Sequence, residues 1–317
     1  MTNLSYDAIE GLQGGGTGGD IPTGYDESAY FTISSTADAD TFSSRFHHST
    51  DSSIPSYYDS TTGTTLALGN RININDGTYN TQWMIAGFDV EYNRTASDGI
   101  TYNNGYGIAL IPVTNLGSCT LFYYKKSGTK YNYPYYTGTY FYKIVTSTMV
   151  NALKTVLGTH LIQRDVLLSN SSTLTGSYST GDIRYQYPES YGWTSAYLTA
   201  MSAYQVIGDS AMSKNNLYSY GTDSRGALYS KILNYDIGEA NYKLPLFDNT
   251  SISNGYTYYI RGERYRYKTY SDSESDYYFS NLVVSDSSNY VYLSHHYIEG
   301  STYIDAHENM RPLIYIR

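Results

Sequence analysis

The chain has 317 residues, a formal net charge of −9 and 41 tyrosines. Its hydrophobic fraction of 40% is too high for a disordered chain, and no apolar run approaches the ~18 residues of a membrane-spanning helix. The negative charge argues against a broad nucleic-acid-binding surface. We therefore expect a folded protein that neither inserts into a membrane nor binds nucleic acid.

Cysteine and histidine usage bears on metals and on the site of synthesis. Cys119 is the single cysteine, which excludes an intrachain disulfide and a cysteine-based metal site. The N-terminus lacks the basic and apolar regions of a secretory signal, so synthesis in a reducing cytoplasm is expected, with release by lysis or inside a particle. Adjacent histidines such as His47 and His48 point in different directions on a helix and rarely bind the same metal ion. No metal and no cofactor are expected.

The composition divides the chain into three segments. Residues 1–24 carry Gly14-Gly15-Gly16-Thr17-Gly18-Gly19, which is typical of a flexible linker that attaches the chain to other proteins. A phosphate-binding loop would need a preceding strand and a Lys-Ser/Thr ending, and neither is present. Residues 25–70 are expected to form a small N-terminal element, and residues 71–317 the main domain.

One helix is predicted in the small N-terminal element, over residues 38–46. Phe42 and Phe46 stand at helical spacing, so they share one face. Asp38 or Asp40 is expected to cap the helix.

Two hairpins open the main domain. Residues 64–75 alternate between apolar and polar, Asp76-Gly77 is typical of a type I′ turn, and residues 78–88 return as the partner strand. A second hairpin is predicted between residues 89–92 and the buried strand at residues 107–112, which Pro112 ends.

Asp89 and Glu91 lie on one face of the predicted strand at residues 89–92. Two carboxylates on one face can act as an acid and a base. Surface charges at the edge of a hairpin need no such role. Both interpretations stay open, with surface charge favoured and no catalytic residue predicted.

Residues 119–143 form a first Tyr-rich cluster, in which lysines are interleaved. Aromatic and basic residues in this arrangement can stack bases of a single strand, although the net charge argues against it. A solvated surface loop and a carbohydrate-binding face fit the same composition. The members of the cluster are Tyr123, Tyr124, Lys125, Lys126, Lys130, Tyr131, Tyr133, Tyr135, Tyr136, Tyr140, Tyr142 and Lys143.

Helical periodicity is clearest over residues 146–158, where Gly158 provides a left-handed stop. The apolar stripe of this helix consists of Met149, Val150, Leu153, Val156 and Leu157. Residues 161–168 are expected to form a short buried segment. A second, weaker helix is predicted over residues 195–206, and an extended approach to the last sheet over residues 236–247.

The C-terminal segment, residues 255–310, is rich in tyrosine, serine and asparagine and poor in aliphatic residues. Tyrosine offers a large contact area for little lost side-chain entropy, and evolved binding surfaces favour this composition. We expect the segment to display a binding face, anchored by a final strand at residues 311–317. Some tyrosines, Tyr315 first, are expected instead to pair across strands and stabilise a sheet.

Several motifs in the order found here resemble those of tailed-phage structural proteins that end in a C-type-lectin-like domain, related in fold to formylglycine-generating enzymes. The motifs are Trp83-Met84-Ile85-Ala86-Gly87-Phe88-Asp89, Asn93-Arg94-Thr95-Ala96, Asn104-Gly105-Tyr106-Gly107-Ile108, Val156-Leu157-Gly158, Asp165-Val166-Leu167-Leu168-Ser169, Gly238-Glu239-Ala240-Asn241-Tyr242-Lys243-Leu244-Pro245-Leu246-Phe247 and Arg311-Pro312-Leu313-Ile314-Tyr315-Ile316.

The resemblance implies an α+β fold, a C-type-lectin-like domain with twisted antiparallel sheets and two helices. It also implies a variable segment, residues 259–309, that opens near Arg261-Gly262; tyrosine replaces the tryptophan that the family carries there. Some relatives diversify this segment through retroelements. The oxidising enzymes of this fold use paired cysteines, and calcium-dependent lectins use acidic triplets. Neither pattern occurs here.

We therefore expect a non-enzymatic phage adhesin, carried on the virion, that binds a glycan or protein of the host-cell surface. Its N-terminal segment would bind other virion proteins. The sequence is compatible with a homo-oligomer. Arg261, Arg264, Arg266 and Lys268 would attract acidic polysaccharide. The predicted ligand-binding residues are Tyr259, Arg261, Tyr265, Arg266, Tyr267, Tyr270, Tyr277, Tyr278, Tyr290, Tyr292, Tyr297 and Tyr303.

Two other functions fit the sequence. A structural head or tail protein would use the same tyrosines for subunit contacts. A glycan-degrading enzyme would need two carboxylates about 5–10 Å apart in a cleft, and no spacing in the sequence singles out such a pair.

Overall fold

The computed structural model describes residues 29–49, 57–66, 69–89, 94–95, 101–102, 105–120, 142, 146–169, 183–186, 191–201, 257–259, 265–271, 274–284, 291–298 and 307–317. The predictions for residues 1–24 and 236–247, and nearly all of those for the 119–143 cluster, lie outside these residues.

The described residues form an α+β structure with few helices and several sheets, which confirms the predicted class. In chain order the elements are β1 (Ala29–Ile33), α1 (Thr36–Arg45), β2 (Phe46–His48), β3 (Tyr57–Asp59), β4 (Arg71–Ile74), β5 (Thr81–Phe88), β6 (Arg94–Thr95), β7 (Thr101–Tyr102), β8 (Ile108–Pro112), β9 (Ser118–Thr120), α2 (Thr146–Leu157), a 3-10 turn (Gly158–His160), β10 (Arg164–Ser169), β11 (Ile183–Gln186), β12 (Tyr191–Ala196), β13 (Leu198–Ala200), β14 (Thr257–Tyr259), β15 (Tyr265–Ser271), β16 (Glu274–Val284), β17 (Val291–Ile298), β18 (His307–Asn309) and β19 (Pro312–Ile316).

A six-stranded sheet in the order β1-β4-β5-β8-β19-β13 forms the core sheet. The last strand, β19, lies between β8 and β13, where Ile314 pairs with Leu110 on one side and Leu198 on the other. All five residues of β19 are buried, and Tyr315 is only 1% exposed. The predicted final strand is therefore confirmed, and it is a central strand of the core.

Both faces of the core sheet are buried. Along β5, Trp83 and Ile85 join one apolar cluster with residues of both helices, while Met84 and Ala86 at the alternate positions are equally inaccessible. Such strands read as continuous apolar runs. The sequence of residues 83–88 therefore shows no alternation between apolar and polar residues.

The β4–β5 hairpin confirms the predicted strand pair, but the predicted turn is wrong. Ile74 pairs with Thr81, so six residues connect the strands rather than two. Asp76 Oδ1 accepts hydrogen bonds from the backbone N–H groups of Thr78 (2.7 Å) and Tyr79 (2.5 Å). This carboxylate organises a wider loop, in which Gly77 has a φ of 84°.

The second predicted hairpin has a different first strand. The strand at residues 108–112 pairs with β5, with Phe88 opposite Ile108, and residues 90–92 lie outside the described residues. The core sheet thus runs directly from β5 into β8.

Helix α1 confirms the predicted N-terminal helix and corrects its cap. Ser35, with extended backbone, accepts from the N–H of Asp38, and the Asp38 carboxylate accepts from Ser34 N and Ser35 Oγ. The serine caps because it precedes the first turn, where its oxygen reaches a free N–H. Phe42 is buried in the helix, and Phe46, also buried, follows the helix and begins β2.

Helix α2 confirms the clearest helical prediction. Its five buried residues are the five of the predicted stripe, and Gly158 has a φ of 53°. The stripe packs into the same apolar cluster as Ile33 of β1 and Phe42 of α1. Strand β1 pairs with β4, so the N-terminal strand and helix share the sheet and core of the residues after 70.

The helix predicted over residues 195–206 is wrong at its beginning, which consists of β12 and β13. All three residues of β13 are buried, as in a strand that is covered on both faces. Pairing of β13 with β19 decides the outcome, because a neighbouring strand supplies hydrogen bonds that local propensity cannot anticipate.

A seven-stranded sheet in the order β11-β15-β16-β14-β18-β9, with β17 paired to β16, contains the described part of the 255–310 segment. We call it the display sheet. The Tyr-rich segment consists of strands at nearly all of its described residues. Among the described helices, none is long and apolar enough to cross a membrane.

Candidate functional site

The display sheet brings most of the predicted ligand-binding residues onto neighbouring strands. Arg261, Tyr290 and Tyr303 lie outside the described residues. The others are Tyr259 in β14, Tyr265, Arg266, Tyr267 and Tyr270 in β15, Tyr277 and Tyr278 in β16, and Tyr292 and Tyr297 in β17.

Two rows of paired residues cross four strands of the display sheet. One row is Tyr185, Arg266, Tyr278 and Tyr297, and the next is Arg184, Tyr267, Tyr277 and Ile298. Because neighbouring strands lie 4.7–4.9 Å apart, each row spans roughly 14 Å. Sequence reasoning missed Arg184 and Tyr185, although the alternation Ile183-Arg184-Tyr185-Gln186 is typical of a strand.

Two of the described chain segments connect the core sheet to the display sheet, and they are hydrogen-bonded to each other. The β8–β9 and β18–β19 connections exchange the bonds Leu116 N–H to Met310 O (3.0 Å) and Met310 N–H to Gly117 O (2.9 Å). The buried Arg311 donates from Nε to Pro112 O at 2.9 Å. The display sheet is therefore joined to the core sheet at a point where two chain segments form two backbone hydrogen bonds with each other.

Asp89 directly follows β5 and is a buried, hydrogen-bonded carboxylate. It is 1% exposed, with a φ of 52°, the left-handed region that costs most residues free energy. Its carboxylate accepts from His48 Nε2 (2.8 Å), from Tyr57 Oη (3.2 Å) and from Gly107 N (2.9 Å). The surface-charge interpretation of Asp89 is wrong. Glu91 lies outside the described residues, so a pairing of the two stays untested.

The Asp89 carboxylate and its three donors join the end of β5 to Gly107, which precedes β8, and to the β2–β3 hairpin. The backbone adds a further bond, from Asp89 N–H to Gly107 O at 2.8 Å. Burial, and then the charge of Asp89, raises the pKa of Tyr57 far above its usual range, so the phenol remains a neutral donor. Sequence reasoning missed this cluster because His48, Tyr57 and Gly107 meet Asp89 only through the tertiary fold.

Tyr106 covers this cluster from the solvent side. Its ring stacks on that of His48, with centroids 3.6 Å apart and planes inclined by 17°. Tyr106 is nevertheless 38% exposed. The cluster thus presents one aromatic ring at the surface and holds it in place from below.

Arg164 packs against the segment that precedes β8, beside Gly105 and Gly107. It is 1% exposed, donates from Nη1 to Gly105 O, and lies over the Tyr315 ring at 5.1 Å. Its guanidinium and Ile162 fill the space beside Gly107, which has no room for a side chain.

Gly107→Ala is therefore expected to destabilise the protein by about 1–3 kcal/mol, since the added methyl would overlap Arg164 Nη2 and approach Ile162 Cδ1 to 2.8 Å. Gly105→Ala is the matched control. Its methyl meets only the exposed end of Arg317, at 3.2 Å, so we expect a change within about 0.5 kcal/mol. Urea unfolding of the two variants measures the difference, and equal stabilities would contradict the packing described for Gly107.

A partly buried ion pair fixes the first helix to the β2–β3 hairpin. Arg45 donates from Nε to Asp59 Oδ1 (2.8 Å) and from Nη2 to Oδ2 (2.6 Å), and Asp59 is fully buried. Thr61 N and Thr62 Oγ1 also donate to this carboxylate. The hydrogen bonds from Arg45 hold the pKa of Asp59 far below its usual range. Burial acts in the opposite direction, but its effect is smaller.

A depressed carboxyl pKa makes stability depend on acid pH. The unfolded chain binds the proton at about pH 3.9, above the folded value, so the contribution of Asp59 is complete above that pH and is lost as the pH falls. We expect Asp59→Asn to lower the unfolding midpoint at pH 7. The difference in midpoint between this variant and the wild type should narrow below about pH 4. Arg45→Gln should behave alike. Parallel midpoint curves from pH 7 to 2 would contradict the pairing.

No group of three or more His, Cys, Asp or Glu side chains in the described part of the chain is placed to hold a metal ion. Comparison of the chain with protein-family models, with curated proteins and with solved structures found no match. Function is therefore inferred from the register of the Tyr-rich strands and from the composition of the chain.

Proposed function

We propose that the protein is a non-enzymatic receptor-binding protein of a tailed phage, carried on the virion, whose display sheet binds a component of the host-cell surface. One observation carries the proposal. Nine of the twelve predicted ligand-binding residues fall in four strands of one sheet, although they are spread over 39 positions of sequence, 259–297.

The chemistry of these residues suits recognition. Tyrosine and arginine are enriched among interface residues that carry most of the binding energy, and tyrosine loses little entropy when it is fixed. Strands support a binding surface more rigidly than loops do, because their backbone groups are bonded to neighbouring strands. A rigid surface loses less conformational freedom when it binds.

The mounting on the core supports the same function. The Tyr-rich strands β14 to β17 lie in the chain between β13 and β19, which both belong to the core sheet, so substitutions in them change no residue of the core sheet. We also assign the chain a C-type-lectin-like fold. The two helices packed on a core sheet that is antiparallel except for β1, and the buried C-terminal strand, support that assignment.

A structural virion protein is the second candidate, and the strand pairing favours it. Tyrosines paired across strands, such as Tyr267 with Tyr277, stabilise a sheet without any ligand. On this alternative the purified chain would form large assemblies whose tyrosines are protected, and it would bind no cells.

The test is binding of the fluorescently labelled full-length chain to a panel of bacterial strains. A receptor-binding protein should bind a subset of strains saturably, and excess unlabelled chain should compete. Binding to no strain, or equally to all strains, would contradict the proposal.

A further inference from the structure

Tyr106 presents an aromatic ring to solvent, and the fold holds that ring in one position. One face of the ring stacks on the imidazole of His48, with centroids 3.6 Å apart, while the residue is 38% exposed. The opposite face and the edge of the ring are therefore the parts that solvent reaches. Tyr58 is the other large aromatic residue exposed in the described part of the chain, at 40%, and its ring contact is a tilted one with His47, at 5.8 Å. Of the two, Tyr106 is the ring fixed by a stacked neighbour.

The backbone on both sides of Tyr106 is fixed as well. The carbonyl of Gly105 accepts a hydrogen bond from Arg164 Nη1, and the N–H of Gly107 donates to Asp89 Oδ1 at 2.9 Å. The same carboxylate accepts at 2.8 Å from the imidazole beneath the ring. A single buried aspartate therefore positions both the backbone and the stacking partner of Tyr106.

Asp89 holds this arrangement in an unfavourable backbone conformation. It is 1% exposed and has a φ of 52°, in a region that most residues avoid. Such conformations persist where the surrounding structure fixes them, and they cluster at sites that bind ligands. A ring that is fixed in advance also loses less conformational freedom when a ligand stacks on it.

A permanent cation lies beside the exposed ring. Arg317 is exposed, and its Nη1 lies 3.2 Å from the point that a Cβ on Gly105 would occupy. The ion pairs between described residues involve Arg45, His48 and His160, and none of them includes the Arg317 guanidinium. A guanidinium without a carboxylate partner can bind an anionic group through two parallel hydrogen bonds.

We propose that Tyr106 and Arg317 form a binding site for an acidic sugar unit, a sugar ring that carries a carboxylate or a phosphate. The exposed aromatic ring stacks on the C–H face of the sugar, and the guanidinium pairs with its anionic group. One ring and one guanidinium match a single sugar unit in size, far below the ~800 Å² per partner that a stable protein interface buries. The net charge of −9 disfavours a nucleic-acid polymer.

The site lies outside the strands of the display sheet. His48 belongs to β2, Tyr106 precedes β8 and Arg317 follows β19. The inference therefore goes beyond the receptor-binding function proposed above and does not depend on it.

The test measures binding of three oligosaccharides to the full-length chain by titration calorimetry. They are a hyaluronan tetrasaccharide, which carries carboxylates, a phosphomannan oligosaccharide, which carries phosphate, and the neutral maltotetraose. At least one acidic oligosaccharide should bind about tenfold or more tightly than the neutral one, and the one that binds identifies the anionic group. Its affinity should fall between about 50 and about 500 mM salt, because the site is exposed to screening. Binding of neither acidic oligosaccharide, or equal binding of the neutral one, would overturn the proposal.

Variants locate the binding site. Tyr106→Ala and Arg317→Gln should each weaken binding of the acidic oligosaccharide at least about tenfold, and Arg317→Gln should also reduce the salt dependence. Tyr106→Phe, which keeps the ring, should bind within about threefold of the wild type. Tyr58→Ala is the matched control, since it removes a tyrosine of similar exposure, and its affinity should equal that of the wild type. Equal losses for Tyr58→Ala and Tyr106→Ala would contradict the site.

A variant with Tyr265, Tyr267, Tyr277 and Tyr292 changed to serine separates the two proposals. It should bind the acidic oligosaccharide as the wild type does. If this variant loses the oligosaccharide while Tyr106→Ala keeps it, the inference is overturned and receptor binding by the display sheet stands. If the wild-type chain binds the oligosaccharide but no bacterial strain, receptor binding fails and the inference stands.

A second measurement covers a Tyr106→Ala variant that fails to fold. Exposed tyrosines of the wild-type chain are nitrated with and without saturating acidic oligosaccharide, and the modified positions are read by mass spectrometry. The oligosaccharide should protect Tyr106 and leave Tyr58 reactive. Protection of neither tyrosine, or of both equally, would overturn the assignment.

Discussion

Ile314→Asp is expected to abolish folding. Ile314 is fully buried in β19, between Leu110 of β8 and Leu198 of β13, at the centre of the core sheet. Replacing it removes an isoleucine, worth roughly 2–5 kcal/mol when truncated, and buries a carboxylate that costs several kcal/mol more. A domain with a total stability of about 5–15 kcal/mol cannot absorb that loss.

Ile314→Val is the matched control, because it removes one methylene group and keeps the branched shape. We expect it to cost about 0.5–1.5 kcal/mol and to leave a cooperative unfolding transition. Circular dichroism during urea unfolding measures both variants. A cooperative transition for Ile314→Asp near the wild-type midpoint would contradict the central position of β19.

Asp89→Ala is expected to destabilise the protein by roughly 3–5 kcal/mol. The change leaves the donors of His48, Tyr57 and Gly107 without the carboxylate, and each unsatisfied buried group costs about 1–3 kcal/mol, not additively. Alanine also lacks the tolerance that aspartate has for the left-handed backbone, a further ~1 kcal/mol.

Two other substitutions at this position separate the loss of the carboxylate from the strain of the left-handed backbone. Asp89→Gly removes the carboxylate but accepts the backbone conformation, so it should be more stable than Asp89→Ala. Asp89→Asn keeps an acceptor oxygen and a residue that tolerates a positive φ, so it should be the mildest of the three. The order is read from urea midpoints. Equal destabilisation by alanine and glycine would contradict a role for the backbone conformation.

Helix α2 shows what local pattern alone can predict. Its five buried residues follow from the 3.6-residue period, and its end follows from Gly158. Both are properties of a single segment. The β4 and β5 strands were equally predictable, since alternation and chain proximity do not require knowledge of the rest of the fold.

Features set by distant partners were not predictable. Strand β13 replaces a predicted helix because β19, more than one hundred residues later, pairs with it. Asp89 looked like a surface charge because its partners His48 and Tyr57 precede it by about 41 and 32 residues. A buried carboxylate is stable only where donors converge, and sequence does not show convergence.

The display sheet was predictable only in part. Its composition pointed to binding, and its tyrosines were identified without the fold. Which tyrosines share a face depends on register, and a shift of one residue would exchange the faces. Tyr277 and Tyr278 are neighbours in sequence, yet they pair with Tyr267 and with Tyr297, in different rows.

Cell binding by a variant with Tyr265, Tyr267, Tyr277 and Tyr292 changed to serine tests the central claim most directly. The wild-type chain should bind a subset of bacterial strains. The variant should lose that binding while it still unfolds cooperatively, because the buried residues of the core sheet are unchanged. A folded variant that binds the same strains with wild-type affinity would contradict a receptor-binding role for the display sheet.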